Sequence, residues 1–578
     1  MKKIFFLIFL MFLFLVSLFT RFDNISRFYT ETDDQIAISQ LLKYKSTNFY
    51  EIANDQQSLT HNNRLKKIIR EIEGINNPTV DKFMHLIWQV FANISPSKHS
   101  TFAPLQYFIF GWMINSDQNY NELKFFSRLP SVIFSILTIV LTFLVSKKIF
   151  SKNKFLKILP VLILICSFSS IYIAQRSYNY SAGVFSLIGL CYLFLVQNEK
   201  NKNSYFNFEI DKIKITRNFF ISLPIIIFSY LNYMLIFITP IYFIINFLKI
   251  YLRNKKKFFN LELINLIITG LFYTIFLLPL IFYMLKLNLN EYGMTASTAG
   301  ADFEYSINTY KHDGIIEIIK FYFLNIYLII SENLSYFLKS FKYSNILKII
   351  IFSVTMLGIF ISFYKSEKNN YYNFFIFFIC CFALWLFLAF FNITAIGPTR
   401  HLQIFTPFFG ILFTYSIYKI INTKYLNTIV LFYMIFILMI FSLNYKKFQH
   451  FYTDLSEENF VNNIIKNYNV GYISNHNSFS DFVCNMKSVQ IEIQSCPIRF
   501  SRHNNIKELN EELLIDLKNN GKSIFFLNKK PDSEFSNKLL ENNFQLIFKY
   551  YDERFNSKTT PLEISKNKPN HLIVEIYN

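Results

Sequence analysis

Residues 128–148 read RLPSVIFSILTIVLTFLVSKK. Between Arg128 at one end and Lys147-Lys148 at the other, no residue carries a charge. A helix rises about 1.5 Å per residue and a bilayer's hydrocarbon core is about 30 Å thick, so a run such as 128–146 spans it. A core helix of a water-soluble protein would alternate apolar and polar faces, and this run does not. The stretch decides the fold: the chain crosses a membrane here, and the lysines mark the cytoplasmic end.

Working outward, the same grammar repeats. Apolar runs follow at about 157–174, 181–197, 217–232, 233–250, 262–285, 346–364, 373–392, 402–421 and 426–443. Lysines set their direction. Lys147, Lys148, Lys152, Lys154 and Lys157 share one connection, and Lys200, Lys202, Lys212, Lys214 and Arg217 share the next but one. Lys255–Lys257 with Arg253, and then Lys365 with Lys368, continue the pattern. The intervening turns carry single arginines, Arg176 and Arg400, which places the lysine clusters inside and both arginines outside. At the start, Lys2 and Lys3 precede an apolar run to about residue 19. No small-residue cleavage site follows, since Leu18-Phe19-Thr20-Arg21 is bulky and charged. This segment reads as an uncleaved anchor with its N-terminus in the cytoplasm. The runs 101–114 and 316–331 are ambiguous: the chain has eleven spans if both stay on the outer side, and up to thirteen if they cross.

The whole composition agrees. Of 578 residues, 52% are hydrophobic, with 71 Phe and 37 Tyr, as befits a multi-pass protein of the cell (inner) membrane. The net charge of +20 does not indicate nucleic acid, because the lysines sit in short clusters between apolar runs. From about residue 445 the composition changes. Short β-like runs at 470–474, 489–493, 523–527, 545–551 and 571–577 alternate with helix-like ones such as 506–518. The expected fold is therefore an all-α polytopic membrane domain, 1–444, followed by a soluble α/β domain, 445–578, outside the membrane by the span count. Cys166, Cys191, Cys380 and Cys381 lie in apolar runs and read as small buried hydrophobes. Cys484 and Cys496 belong to the outer domain, where a disulfide is expected.

Chemistry is constrained first by absences. None of the ten later spans holds an ionisable residue near its middle; Glu262, Lys348 and Lys419 sit at ends. Ion-coupled transport needs buried charges on its path, which disfavours a transporter or exporter of envelope glycans or lipids, the alternative class. With 13 glycines and no phosphate-cradling G-x-x-x-x-G-K-[ST], classical nucleotide binding is disfavoured too. Polar function then falls to the outer side, above all the loop 21–127. There residues 28–36 read FYTETDDQI, three carboxylates within four positions just beyond the first apolar run. Asp33 and Asp34 fit two readings: a general base poised over a lipid-borne substrate, or caps on a helix over 35–43. Lys98 and His99, Arg128, Arg176, and Arg400 with His401 share that outer level. Such cations snorkel to lipid headgroups or, as a cluster, hold a lipid phosphate, for which arginine's fork is suited.

These motifs together resemble the membrane-embedded glycosyltransferases of the GT-C fold, in particular the protein O-mannosyltransferases and the lipid A aminoarabinose transferase. Asp33-Asp34 after the first span is similar to that family's acidic pair. His99-Ser100-Thr101-Phe102-Ala103-Pro104-Leu105-Gln106-Tyr107 resembles its His-Pro-Pro-Leu-x-Tyr, with the proline displaced to Pro104. Phe126-Ser127-Arg128-Leu129-Pro130-Ser131-Val132-Ile133-Phe134 resembles its Arg-Leu-Pro-Ser-Ala-Leu-Phe. Ala174-Gln175-Arg176-Ser177-Tyr178 resembles its Arg-x-x-Arg-x-Tyr turn, and Gly397-Pro398-Thr399-Arg400-His401-Leu402 its Arg-Tyr-Leu before a late span. The resemblance implies a transferase that moves a sugar from a polyprenyl-phosphate donor to an extracytoplasmic acceptor hydroxyl on a lipid, glycan or protein, with inversion. Asp33 would be the base and Asp34 would orient the acceptor or bind a metal. Arg176 and Arg400, with Arg128, Lys98, His99 and His401 nearby, would hold donor and phosphate. No cofactor is required by the resemblance: some members use a divalent ion, others none, and no His/Cys ligand spacing here decides the matter.

Overall fold

The computed structural model describes residues 2–27, 113–114, 118, 120–177, 180–198, 215–232, 235–253, 260–291, 314–364, 370–390, 400–421, 423–452, 470–474, 499–501, 511–520, 523–528, 533–551 and 573–577. Asp33, Asp34, Lys98, His99, Cys484 and Cys496 lie outside them, as do the runs 101–112 and 489–493. Arg400 and His401 are described by their backbone alone.

Helices dominate up to Tyr452. They are α1 (Lys2–Phe22), α2 (Tyr120–Ile149), α3 (Lys154–Cys166), α4 (Phe168–Ala174), α5 (Tyr180–Gln197), α6 (Ile215–Leu231), α7 (Leu235–Arg253) and α8 (Leu261–Glu291), followed by α9 (Ile315–Asn333), α10 (Ser344–Tyr364), α11 (Asn370–Phe390), α12 (Thr406–Ile420) and α13 (Thr423–Tyr452). Among the described residues seven helices are long and apolar enough to cross a membrane, or eight if α3 and α4 make one bent span. Each of the eleven expected spans has a helix in its place. The difference in count comes from α1 and α6, whose apolar stretches are short, and from the 15 residues of α12, which a 3-10 turn (Arg400–Phe405) precedes. The ambiguous run 316–331 is α9, in which Glu317 and Lys320 pair near the start and Glu332 sits near the end.

The helices carry the marks of a bilayer solvent. Leu252, Phe360, Phe363 and Phe432 are all more than 60% exposed, on faces where a water-soluble protein would place charge. Inside, α11 and α12 pack through a ladder of rings, with Phe374, Phe377 and Phe378 against Phe408 at centroid separations of 5.5, 6.3 and 5.8 Å. Cys166, Cys191 and Cys381 are buried free thiols among these side chains. Where α10 crosses α12 the contact is closer still. A Cβ added at Gly358 would lie 2.7 Å from the Leu412 carbonyl oxygen, so a glycine is required for this approach.

The region read as one span over 157–174 is a broken helix. Asn153 caps α3, its Oδ1 accepting from the amides of Phe155 and Leu156 at 3.0 and 3.2 Å. At Ser167 the backbone turns extended, and α4 leaves at 60° to α3. Ser167 also caps the new helix, its Oγ accepting from the Ser170 amide at 3.2 Å. The break is clamped to the C-terminal end of α9. Ser167 Oγ donates to the Asn333 carbonyl (2.8 Å), Ser169 Oγ to the Glu332 carbonyl (2.9 Å), and the Phe168 amide to the Ser335 carbonyl (3.0 Å). Those carbonyls lie at and just past the end of α9, where the i+4 amides of a continuing helix are missing.

Beyond Tyr452 the described residues form a five-stranded mixed sheet with two helices. The strands are β1 (Val470–Ser474), β2 (Arg499–Ser501), β3 (Ser523–Asn528), β4 (Leu546–Tyr551) and β5 (Ile573–Tyr577), in the order β2-β1-β3-β5-β4. β1 runs parallel to β2 and β3, while β5 is antiparallel to β3 and β4. Glu511–Asn519 and Ser533–Glu541 are the helices that connect them. This is the expected α/β arrangement. β2 and the second helix were not read from the sequence, and the expected helix over 506–518 is described from Glu511.

Candidate active site

The segment that leads toward the acidic stretch is held on three sides as it leaves α1. Asn24, at φ 56°, turns the chain after the last helical residue, the left-handed conformation that asparagine tolerates at a helix end. Gln175, in the turn after α4, reaches back to the carbonyls exposed by that end. Its Nε2 donates to Asp23 O at 2.8 Å, Arg21 O at 3.3 Å and Thr20 O at 3.4 Å. Arg128 on α2 donates from Nη1 to the Ile25 carbonyl at 2.8 Å. From the other side, the Tyr445 hydroxyl on α13 donates to Asp23 Oδ2 at 2.9 Å, and Gln449 Nε2 donates to that hydroxyl oxygen at 2.9 Å.

Arg21 completes the arrangement from below. It is fully buried, and all five of its N–H groups donate: Nε to Ser135 Oγ (2.9 Å), Nη1 to Thr20 Oγ1 (2.9 Å) and Ile165 O (3.3 Å), Nη2 to Leu164 O (3.1 Å) and Ser170 Oγ (3.5 Å). Leu164 and Ile165 are in the last turn of α3, where the break removes the usual i+4 amide donors and where the helix dipole favours a cation.

Three buried cations stand on the elements that meet this exit. Lys124 and Arg128 lie one turn apart on the same face of α2, and both are fully buried. Arg176 is 3% exposed, its guanidinium carbon 4.2 Å above the centroid of the Tyr172 ring. Ser127 and Ser177 share a 2.8 Å hydrogen bond that ties the Arg128 turn of α2 to the Arg176 turn. The 3-10 turn Arg400–Phe405 packs on α5 and touches α4. Of the residues singled out from the sequence, Arg128 and Arg176 are thus brought together with the base of the acidic segment. They are buried groups with protein partners, where the sequence reading set Arg128 at the outer start of a span and Arg176 at an outer turn.

Sequence reasoning missed Arg21, Asp23, Lys124 and Gln175. It also missed a buried ion pair between Glu332 of α9 and Lys348 of α10, just beyond the clamp on α4. Each missed charge lies within a few residues of the end of an apolar run, a position that reads as interface. Among the described residues no three His, Cys, Asp or Glu side chains gather in a way that could hold a metal ion.

No protein-family model matches the chain, and no curated protein is similar to it in sequence. Among solved structures, it is similar to the archaeal oligosaccharyltransferase AglB from Archaeoglobus fulgidus, in complex with an inhibitory peptide and a dolichol-phosphate, at 11% identity and a TM-score of 0.49. That alignment covers 91% of this chain and 70% of the other. The apo form of the Archaeoglobus fulgidus oligosaccharyltransferase gives a TM-score of 0.45 at the same identity and coverage. ArnT from Cupriavidus metallidurans, bound to undecaprenyl phosphate, gives 9% identity and a TM-score of 0.44, over 99% of this chain and 98% of the other. Likenesses at this level transfer no residue roles, and the function rests on the chain's own groups.

Proposed function

We propose that the protein is a membrane glycosyltransferase that moves a sugar from a polyprenyl-phosphate carrier to an acceptor hydroxyl on the outer face of the cell membrane. The observation that carries this reading is that the peptide 23–27, a few residues before Glu31, Asp33 and Asp34, is held by Arg128 through Ile25 and by Gln175, the neighbour of the buried Arg176, through Asp23. Asp33 is the sixth residue after Arg27, so chain length alone keeps the two within roughly 20 Å. A cation withdrawn from water needs hydrogen-bond acceptors or an anion beside it, and it binds an arriving anion strongly. A carboxylate base and a substrate phosphate are the anions that this chemistry brings to one place.

In the reaction, the Asp33 carboxylate accepts the proton of the acceptor hydroxyl as its oxygen attacks the anomeric carbon. The bond from that carbon to the phosphate oxygen breaks with inversion, and the polyprenyl phosphate leaves with the bonding pair. Arg176, with Arg400, stabilises the charge that grows on the phosphate. Arg128 holds the peptide at Ile25 and so fixes where the acidic stretch begins. Asp34 orients the acceptor. No step is routed through a metal ion. The N-terminus and the lysine clusters face the cytoplasm, and the α/β region faces outward.

The test is transfer by purified protein in lipid nanodiscs, supplied with a cellular pool of lipid-linked sugars and read as release of undecaprenyl phosphate. Asp33→Asn keeps the size and capping ability of the side chain but removes the base. Release is expected to fall by about 10²–10⁴-fold with folded protein at normal yield. Release by Asp33→Asn at the wild-type rate would show that Asp33 only caps a helix.

A further inference from the structure

Two helix ends in this structure cap each other. The C-terminal carbonyls of α3, at Leu164 and Ile165, accept from Arg21 at the end of α1. The C-terminal carbonyls of α1, at Thr20 and Arg21, accept from Gln175 at the end of α4, the continuation of α3. Each side chain thus supplies the donors that the other helix lost by ending, and every group involved is buried. The geometry points to a reciprocal clamp that acts on function. Arg21 and Gln175 are positioning residues that fix the spacing between the segment leading to the acidic stretch and the turn bearing Arg176.

The argument is one of constraint. The 60° bend at Ser167 aims α4 and hence Arg176, while Arg21 bonds both halves of the bent pair, through Leu164 and Ile165 on one side and Ser170 on the other. Gln175 precedes Arg176 directly and bonds Asp23 O at 2.8 Å, so the turn and the exit of α1 move as one piece. Tyr445 on α13 adds a third anchor through Asp23 Oδ2. A device that only stabilised α1 would not need to run through the residue next to Arg176. A clamp that sets a catalytic distance would, because a misplacement of about 1 Å is enough to cost roughly 10²-fold in rate.

This inference rests on the proposed transferase reading for its consequence, though the clamp itself can be read without it. In full-length protein in nanodiscs, Gln175→Leu removes the donor and keeps the volume. Arg21→Lys keeps the charge but cannot reach Ser135, Leu164 and Ile165 together. Amide exchange over residues 23–36 is expected to rise about tenfold in Gln175→Leu, in line with the loss of one net hydrogen bond, while α5 stays protected. Affinity for undecaprenyl phosphate alone, the probe, is expected to stay near wild type while turnover falls by about 10²-fold, with Arg21→Lys intermediate. Exchange unchanged over 23–36 overturns the clamp. So does an exchange increase with turnover intact, or a joint fall of affinity, turnover and melting temperature, which would mark a purely structural role. If the wild type itself transfers nothing, the transferase reading fails and the exchange result alone decides whether the clamp exists.

Discussion

At the scale of single residues, the sequence marks which charges exist but not which are buried. Arg128 and Arg176 were legible as candidates because each stands alone at the outer end of an apolar run. Their burial was not, because it depends on tertiary packing, such as the Tyr172 ring beneath Arg176 and the Ile25 carbonyl that Arg128 meets. Glu332 and Lys348 show the same limit. Both sit at helix ends, where hydropathy reads an interface, yet their side chains are 3% and 5% exposed. A buried pair contributes little net stability, but removing one partner leaves the other as an uncompensated charge. Glu332→Gln is therefore expected to destabilise the protein by about 3–5 kcal/mol, and Glu332→Leu with Lys348→Met by much less. Thermal unfolding in detergent checks this. A single variant that melts like wild type would mean that the pair is open to solvent.

At the scale of elements, hydrophobic runs placed the expected membrane helices, since the bilayer imposes length and apolarity on the sequence, though α2 begins at Tyr120 and α13 runs on to Tyr452, past their apolar runs. The break in the third run was hidden because Cys166, Phe168 and Ile171 keep the stretch apolar on average. Three serines in four positions, Ser167, Ser169 and Ser170, were the signal, and each finds a partner on α9, α4 or Arg21. Helix-to-helix distance was likewise not legible, because an isolated glycine in an apolar run has no fixed meaning. Gly358 gives it a measurable one. In a free helix Gly→Ala stabilises by about 1 kcal/mol. Here the new methyl would meet the Leu412 carbonyl at 2.7 Å and Ser416 Cβ at 3.1 Å, and neither backbone nor Cβ yields cheaply. Gly358→Ala is expected to lower stability by about 1–3 kcal/mol, as overpacking does. A rise in melting temperature would show that α10 and α12 are farther apart than described.

At the scale of the whole molecule, lysine clusters, apolar runs and the terminal change of composition were enough to read a multi-span helical protein with an α/β region after it. The strand order β2-β1-β3-β5-β4 was not legible, because pairing depends on contacts between distant strands. The candidate site was partly so. Its cations and the acidic stretch could be named, but the clamp that joins α1 to α4 was not legible, because it pairs residues 149 to 155 positions apart. The central claim is that these parts make a sugar transferase whose base is Asp33. Mass spectrometry of envelope glycans tests it most directly, in cells without the gene, with the wild-type gene restored, and with Asp33→Asn restored. The account predicts one sugar missing from a single glycan class in the first and third, and present in the second. Identical glycans in all three, or full restoration by Asp33→Asn, would contradict it.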